Sequence, residues 1–201
     1  MNTTEADVVN GIDVDALKAA VDVIKENPDL GRFRFRARNR WIYGPHCATT
    51  IQDFWAGDEE DTSRAMPFTL EADEPAVLMG FDNGPNATEM ALAALASCLN
   101  ATFMFNAAAQ GIHIDELQID LEGNLDLRGF LGISEDVRRG YEAIQVTFRV
   151  KSDASEEKIK ELVELAQKRS PVFDIVTNQT PVSVRVERVE PSYAERTAAH
   201  I

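Results

Sequence analysis

The stretch "NATEMALAALASCLNATFMFNAAAQG", Asn86 to Gly111, constrains the fold more than any other part of the chain. It contains no proline, stops at Gly111, and distributes apolar side chains around every side of a helix, so it predicts one long helix with no solvent face. Asn86 or Thr88 is placed to cap it, and Glu89 falls in its first turn, where the helix dipole favours a carboxylate. Met90 to Ala109 approaches the length of a membrane span, but Ser97, Asn100, Thr102 and Asn106 interrupt it and neither flank carries Lys or Arg. The reading is a buried central helix. A sheet covers only one of its faces, so the expectation is that a second helix and a partner subunit cover the rest.

The second helix is legible in "SEEKIKELVELAQKR", where Ile159, Leu162, Val163 and Ala166 recur at helical spacing, Ser155 is placed to cap and Pro171 follows the end. Between the two helices, Leu117, Ile119, Leu121, Leu125 and Leu127 alternate with period two, as do Ile144, Val146, Phe148 and Val150. These predict two strands joined by a long connection that contains "RGFLGISEDVRRGY", a candidate functional loop by its length. "PVSVRVERV", with Val182, Val184 and Val186 on one face, predicts a last strand.

Upstream, residues 13 to 27 predict a short amphipathic helix with Val14, Leu17, Val21 and Ile24 on one face, an Asp13 cap and a stop at Pro28. "RFRFRARNRWIYGPHCATTIQDFW" reads as a β-hairpin about Gly44-Pro45, with arginines 32, 34, 36, 38 and 40 on one strand face. That face is expected to be solvated and ion-paired, with an anion-binding face as the alternative. Residues 55 to 64 are polar and turn-rich, and "PFTLEADEPAVLMG" predicts further short strands. The elements do not alternate as βαβα, which gives an α+β class with an antiparallel-rich sheet against two helices. The organisation expected is an N-terminal helical extension over 1–31, one domain over 32–190 and a tail over 191–201.

Thirty-four acidic against twenty basic residues give a net charge of -14, which opposes a phosphate backbone, so nucleic acid is not an expected partner. The N-terminus lacks a basic and apolar leader, which points to a cytoplasmic, reducing setting. The two cysteines, Cys47 and Cys98, show no zinc-site spacing. The three histidines, His46, His113 and His200, are scattered through the chain.

Cys98 sits mid-helix among Ala91, Ala94, Leu95, Ala101, Thr102 and Phe105, an apolar setting that by itself makes it a small packed hydrophobe. Glu89 is nine residues earlier, about 13.5 Å along the axis and on the opposite side of the helix. It cannot serve the Cys98 of its own chain. Joint action requires a symmetric dimer, and otherwise Glu89 is a helix-dipole residue.

Three ordered blocks, "DEPAVLMGFDNGPNATEMALAALASCL", "LEGNLDLRGFLGISEDVRRGYEAIQVTFRV" and "RSPVFDIVTNQTPVSV", resemble the OsmC-like superfamily, which includes the organic hydroperoxide resistance proteins. The resemblance runs from about Arg32 to Val189. It implies a sheet wrapped around two central helices in an intertwined homodimer with sites at the interface. It also implies a thiol peroxidase that reduces organic or inorganic hydroperoxides with two cysteines and no metal or organic cofactor. Its peroxidatic cysteine matches Cys98 and its glutamate matches Glu89. Its arginine matches Arg40 best by position, with Arg38 and Arg128 as alternatives. A fixed cation there would lower the thiol pKa and pair with Glu89.

One departure bears on the chemistry. Where two-cysteine members carry a cysteine before the proline, this chain has Ser170, and serine cannot form a disulfide with a sulfenic acid. Either an external thiol reductant or Cys47 resolves Cys98, or the activity is lost. The expected function is therefore a one-cysteine peroxidase in oxidative stress defence. The alternative is a non-catalytic dimer that binds an apolar or acyl ligand in the interface pocket.

Overall fold

The computed structural model describes residues 7–189. The tail beyond them, with His200, lies outside the described residues. The short strands β1 (Val8–Val9) and β2 (Ile12–Asp13) form a hairpin that leads into α1 (Val14–Glu26), which is capped by Asp13 as expected. Asn10 ties this N-terminal segment to the end of the long helix: its amide donates to Ile112 O (2.8 Å) and its Oδ1 accepts from Ile114 N (3.0 Å).

The arginine-rich run is not one strand. It divides at Phe35 to Ala37 into β3 (Phe33–Arg34) and β4 (Arg38–Tyr43), which pair with different neighbours. β4 forms the expected hairpin about Gly44-Pro45 with β5 (His46–Ile51). The polar stretch after it supplies β6 (Phe54–Ala56) and β7 (Glu59–Asp61), a second hairpin that β3 joins at its edge. β8 (Phe68–Ala72) completes the sheet β4-β5-β8. Arg32 pairs with Asp29 and Arg36 with Glu60, as a solvated face requires, while Arg34 lies over the Trp55 ring.

Only one strand forms in "PFTLEADEPAVLMG". After β8 the chain enters a compact loop around Asp73, a residue only 2% exposed. Its carboxylate accepts from the backbone N–H groups of Glu74, Phe81 and Asn83 and from the Asn83 amide. Gly80 is obligatory in this loop, because a Cβ there would lie 1.8 Å from Glu74 O. The Phe81 ring packs tilted against Tyr43, and the loop delivers the chain to the long helix.

α2 (Ala87–Ala109) is capped by Asn86 in a reciprocal box. Asn86 Oδ1 accepts from Glu89 N (2.9 Å), and Glu89 Oε2 accepts from Asn86 N (2.8 Å). β9 (Glu116–Asn124), the single turn α3 (Leu127–Phe130) and β10 (Ala143–Lys151) follow, with β9 and β10 antiparallel over their whole length. α4 (Glu156–Arg169) is capped by Ser155 as read from the sequence. Pro171 does not only end α4. It occupies the first turn of α5 (Pro171–Thr177), where its fixed φ and missing N–H cost nothing.

The core is the layer between α2, α4 and the β9-β10 pair. Leu95, Leu99, Phe103, Ala107, Leu162 and Ala166 are buried there against Leu117, Ile119, Leu121, Ile144, Val146, Phe148 and Val150. The expected last strand does not form. Residues 178–189 carry no regular element, and Val182, Val184 and Val186 stand exposed, because no strand among the described residues pairs with them.

Burial alone would raise the Asp73 pKa, but the donors from Asn83, Glu74 and Phe81 outweigh it and hold the carboxyl below its ordinary range. A depressed folded value contributes stability that is complete above the unfolded pKa of about 3.9 and is lost as pH falls through the lower folded value. Asp73→Asn therefore lowers stability at neutral pH and flattens the acid limb below about pH 4. Urea melts across pH 2 to 7 check this, and parallel pH profiles for both proteins would contradict it.

Candidate functional site

Cys98 lies halfway along α2, half-buried, where the start of α5 packs against the helix. Ser170 sits at the joint between α4 and α5 and is 2% exposed. Its N–H closes α4 by donating to Ala166 O (3.0 Å), and its Oγ caps α5 by accepting from Phe173 N (3.1 Å). With its acceptor role used in that way, the hydroxyl proton is directed at Cys98, and Ser170 Oγ donates to Cys98 Sγ at 3.1 Å. Two of the four residues singled out from the sequence are thus in direct contact across 72 positions. Ser170 is the one hydrogen-bond partner of this thiol among the described residues.

The other two are elsewhere within the chain. Glu89 is exposed in the first turn of α2 and is engaged in the capping box. Arg40 sits in β4, a strand exposed at every position, and neither it nor Arg38 forms an ion pair among the described residues. Arg128 is a weaker candidate than either, since its guanidinium is held by Asp126 through Nε (3.0 Å) and Nη2 (2.5 Å).

Register separates Cys47 from Arg40. Trp41, Cys47 and Ala72 are opposite one another on one face of the sheet β4-β5-β8, and Arg40, Ala48 and Glu71 are opposite one another on the other. Cys47 therefore shares its face with Trp41, Leu70 and Phe68, not with the arginine. Both cysteines are free. On the Arg40 face His46 meets Glu71 at 2.6 Å. This pair was not foreseen from the sequence, because strand register alone brings together residues 25 positions apart.

The chemistry available within one chain is a thiol with a fixed hydroxyl donor and no second sulfur in hydrogen-bonding contact. A serine at this contact cannot close a disulfide on a sulfenic acid at Cys98.

The OsmC-like protein family model matches residues 80–185, which includes α2, β9, β10, α4 and α5. The chain belongs to the OsmC-like family. Among solved structures, it is similar to an OsmC like protein from Mycoplasma pneumoniae, at 20% identity and a TM-score of 0.56, covering 73% of this chain and 89% of that one. It is also similar to the organic hydroperoxide resistance protein OsmC from Legionella pneumophila, at 15% identity and a TM-score of 0.50, covering 71% and 88%. At these identities the likeness establishes a shared fold. Comparison with curated protein sequences yields no match.

In this OsmC-like chain the Ser170 to Cys98 separation makes position 170 a built-in test of geometry. A sulfur in place of the Ser170 oxygen needs only a shift of about 1 Å to reach disulfide length. Ser170→Cys is expected to form an intramolecular disulfide with Cys98 on mild oxidation, seen as a new cross-linked peptide by mass spectrometry. Recovery of both thiols free would show that the α2 to α5 joint does not hold the two side chains together.

Proposed function

We propose that the protein is a one-cysteine thiol peroxidase that reduces hydroperoxides in oxidative stress defence, working as a homodimer in a reducing cytoplasm. The observation that carries the reading is the Ser170 hydroxyl 3.1 Å from Cys98 Sγ, at the position where two-cysteine OsmC-like proteins are expected to hold the second sulfur. Membership of the OsmC-like family, and the name of the Legionella pneumophila relative, support a role in hydroperoxide stress.

The Cys98 thiolate attacks the terminal oxygen of ROOH, forming an S–O bond as the O–O bond breaks. The alkoxide leaves and takes the proton that the thiol gave up, so Cys98 ends as a sulfenic acid beside one ROH. One external thiol condenses with the sulfenic acid and releases water. A second thiol then displaces Cys98 as a thiol and leaves as a disulfide with the first. No metal or organic cofactor takes part in this cycle.

A homodimer is the second part of the proposal. The accessible surface is 15510 Å², against roughly 9,400 Å² for a compact monomer of this size. Trp41 and Phe68, 69% and 60% exposed, lie on one face of the sheet β4-β5-β8. Along α2, Ala91, Ala94 and Ala101 are exposed on either side of Cys98, at spacings of three and four. Small residues there admit the close approach of a second chain. In such a dimer Glu89 and Arg40 of one subunit act on the Cys98 of the other, the carboxylate taking the thiol proton and the guanidinium holding the thiolate and the peroxide.

A lipid hydroperoxide consumption assay with a small dithiol as reductant tests the proposal. Cys98→Ser should fall to background. Glu89→Gln, which keeps the capping box but removes the charge, should lose roughly a hundredfold with little change in stability. Equal background turnover by wild type and both variants would sink the peroxidase reading.

A further inference from the structure

A groove of about 490 Å³ opens between α1 and the C-terminal half of α2, away from Cys98. Leu17 and Val21 of α1 face Phe105 and Ala109 of α2 across it, so its floor is apolar. Its rim carries Lys18, Lys25 and Arg169 beside Asp22; Lys25 is paired with Asp22 and Lys18 with Asp15, which leaves Arg169 as the rim cation with no carboxylate among the described residues.

Arg169 is the fixed point of this rim. It forms no ion pair among the described residues. Its Nη1 donates to Asn106 Oδ1 (2.5 Å), and Asn106, 6% exposed, is itself held by donating to Thr102 O (2.6 Å). A buried amide thus clamps one edge of the guanidinium at the groove and leaves its other donors without a carboxylate partner among the described residues. The α1 wall from Leu17 to Lys25 runs about 12 Å, enough for an extended chain of several methylenes.

An apolar trough of ligand size with a clamped, uncompensated guanidinium at its edge has the chemistry of a site for an amphiphilic anion. We propose that the groove binds an aliphatic carboxylate, whose head pairs with Arg169 and whose tail lies between Leu17, Val21 and Phe105. The site is separate from Cys98 and does not depend on peroxidase activity.

Titration calorimetry on the full chain with dodecanoate below its micellar concentration, with dodecanol as the uncharged control, tests this. Saturable binding of one dodecanoate per chain is expected, weaker by about tenfold in Arg169→Gln, which removes the charge. Shortening the acid should weaken binding by up to about fourfold per methylene. Val21→Asp should abolish it, and Cys98→Ser should leave it unchanged. Absence of binding, equal affinity for the alcohol, or indifference to Arg169→Gln would overturn the proposal. So would a dimer that dissociates in Val21→Asp without any dodecanoate binding in wild type, because the groove would then be a contact between copies. Loss of binding in Cys98→Ser would place the ligand at the thiol instead and overturn it as well.

Discussion

A helix of 23 residues with no polar side has to be covered all round, and most of what is distinctive in this chain follows from how α2 meets that requirement. By length and composition alone α2 could cross a membrane, yet only 28% of its most apolar window is buried within the chain. The covered flank is Leu95, Leu99, Phe103 and Ala107 against α4 and the β9-β10 pair. The flank that carries Cys98 lies beside it, closed by α5 at Ser170 and open along the alanines. The thiol is therefore on the border between a finished core and a surface that lacks its cover.

That border position gives the site its character. A thiol sealed in the core could not meet a peroxide, and one on an open surface would have nothing to hold its anion. The Ser170 hydroxyl provides the first fixed contact, because its acceptor role is taken by the α5 cap and its proton is left for sulfur. Replacing a cysteine by a serine at this joint keeps the cap and the hydrogen bond and removes the disulfide. Within the proposed cycle, that trades internal resolution for dependence on a thiol from outside.

What could be read from the sequence was what depends on near neighbours. The capping of α2 by Asn86, the alternation of β9 and β10, and the Ser155 start of α4 are all encoded within a turn or a strand length and all form, although β9 ends at Asn124, so Leu125 lies beyond it and Leu127 opens α3 instead. Pairing across longer distances was not legible. The polar stretch after Phe54 became a hairpin because Phe33–Arg34 lies against it, and Pro171 began a helix because Ser170 stood before it as a cap. Val182, Val184 and Val186 alternate as a strand should, but alternation describes a face and not the neighbour it needs. Ser170 was singled out only through family resemblance, and its contact with Cys98 came from the fold. The face opposition of Arg40 and Cys47 required the register.

The central claim is that Cys98 is a peroxide-reactive thiol whose oxidised form is not resolved within its own chain. Peptide mass spectrometry after an equimolar dose of an organic hydroperoxide, with a 1,3-dione present to trap sulfenic acid, tests it most directly. The account predicts the trapped adduct on Cys98 and a free Cys47. A disulfide between Cys47 and Cys98, or a Cys98 left unmodified while the peroxide persists, would contradict it.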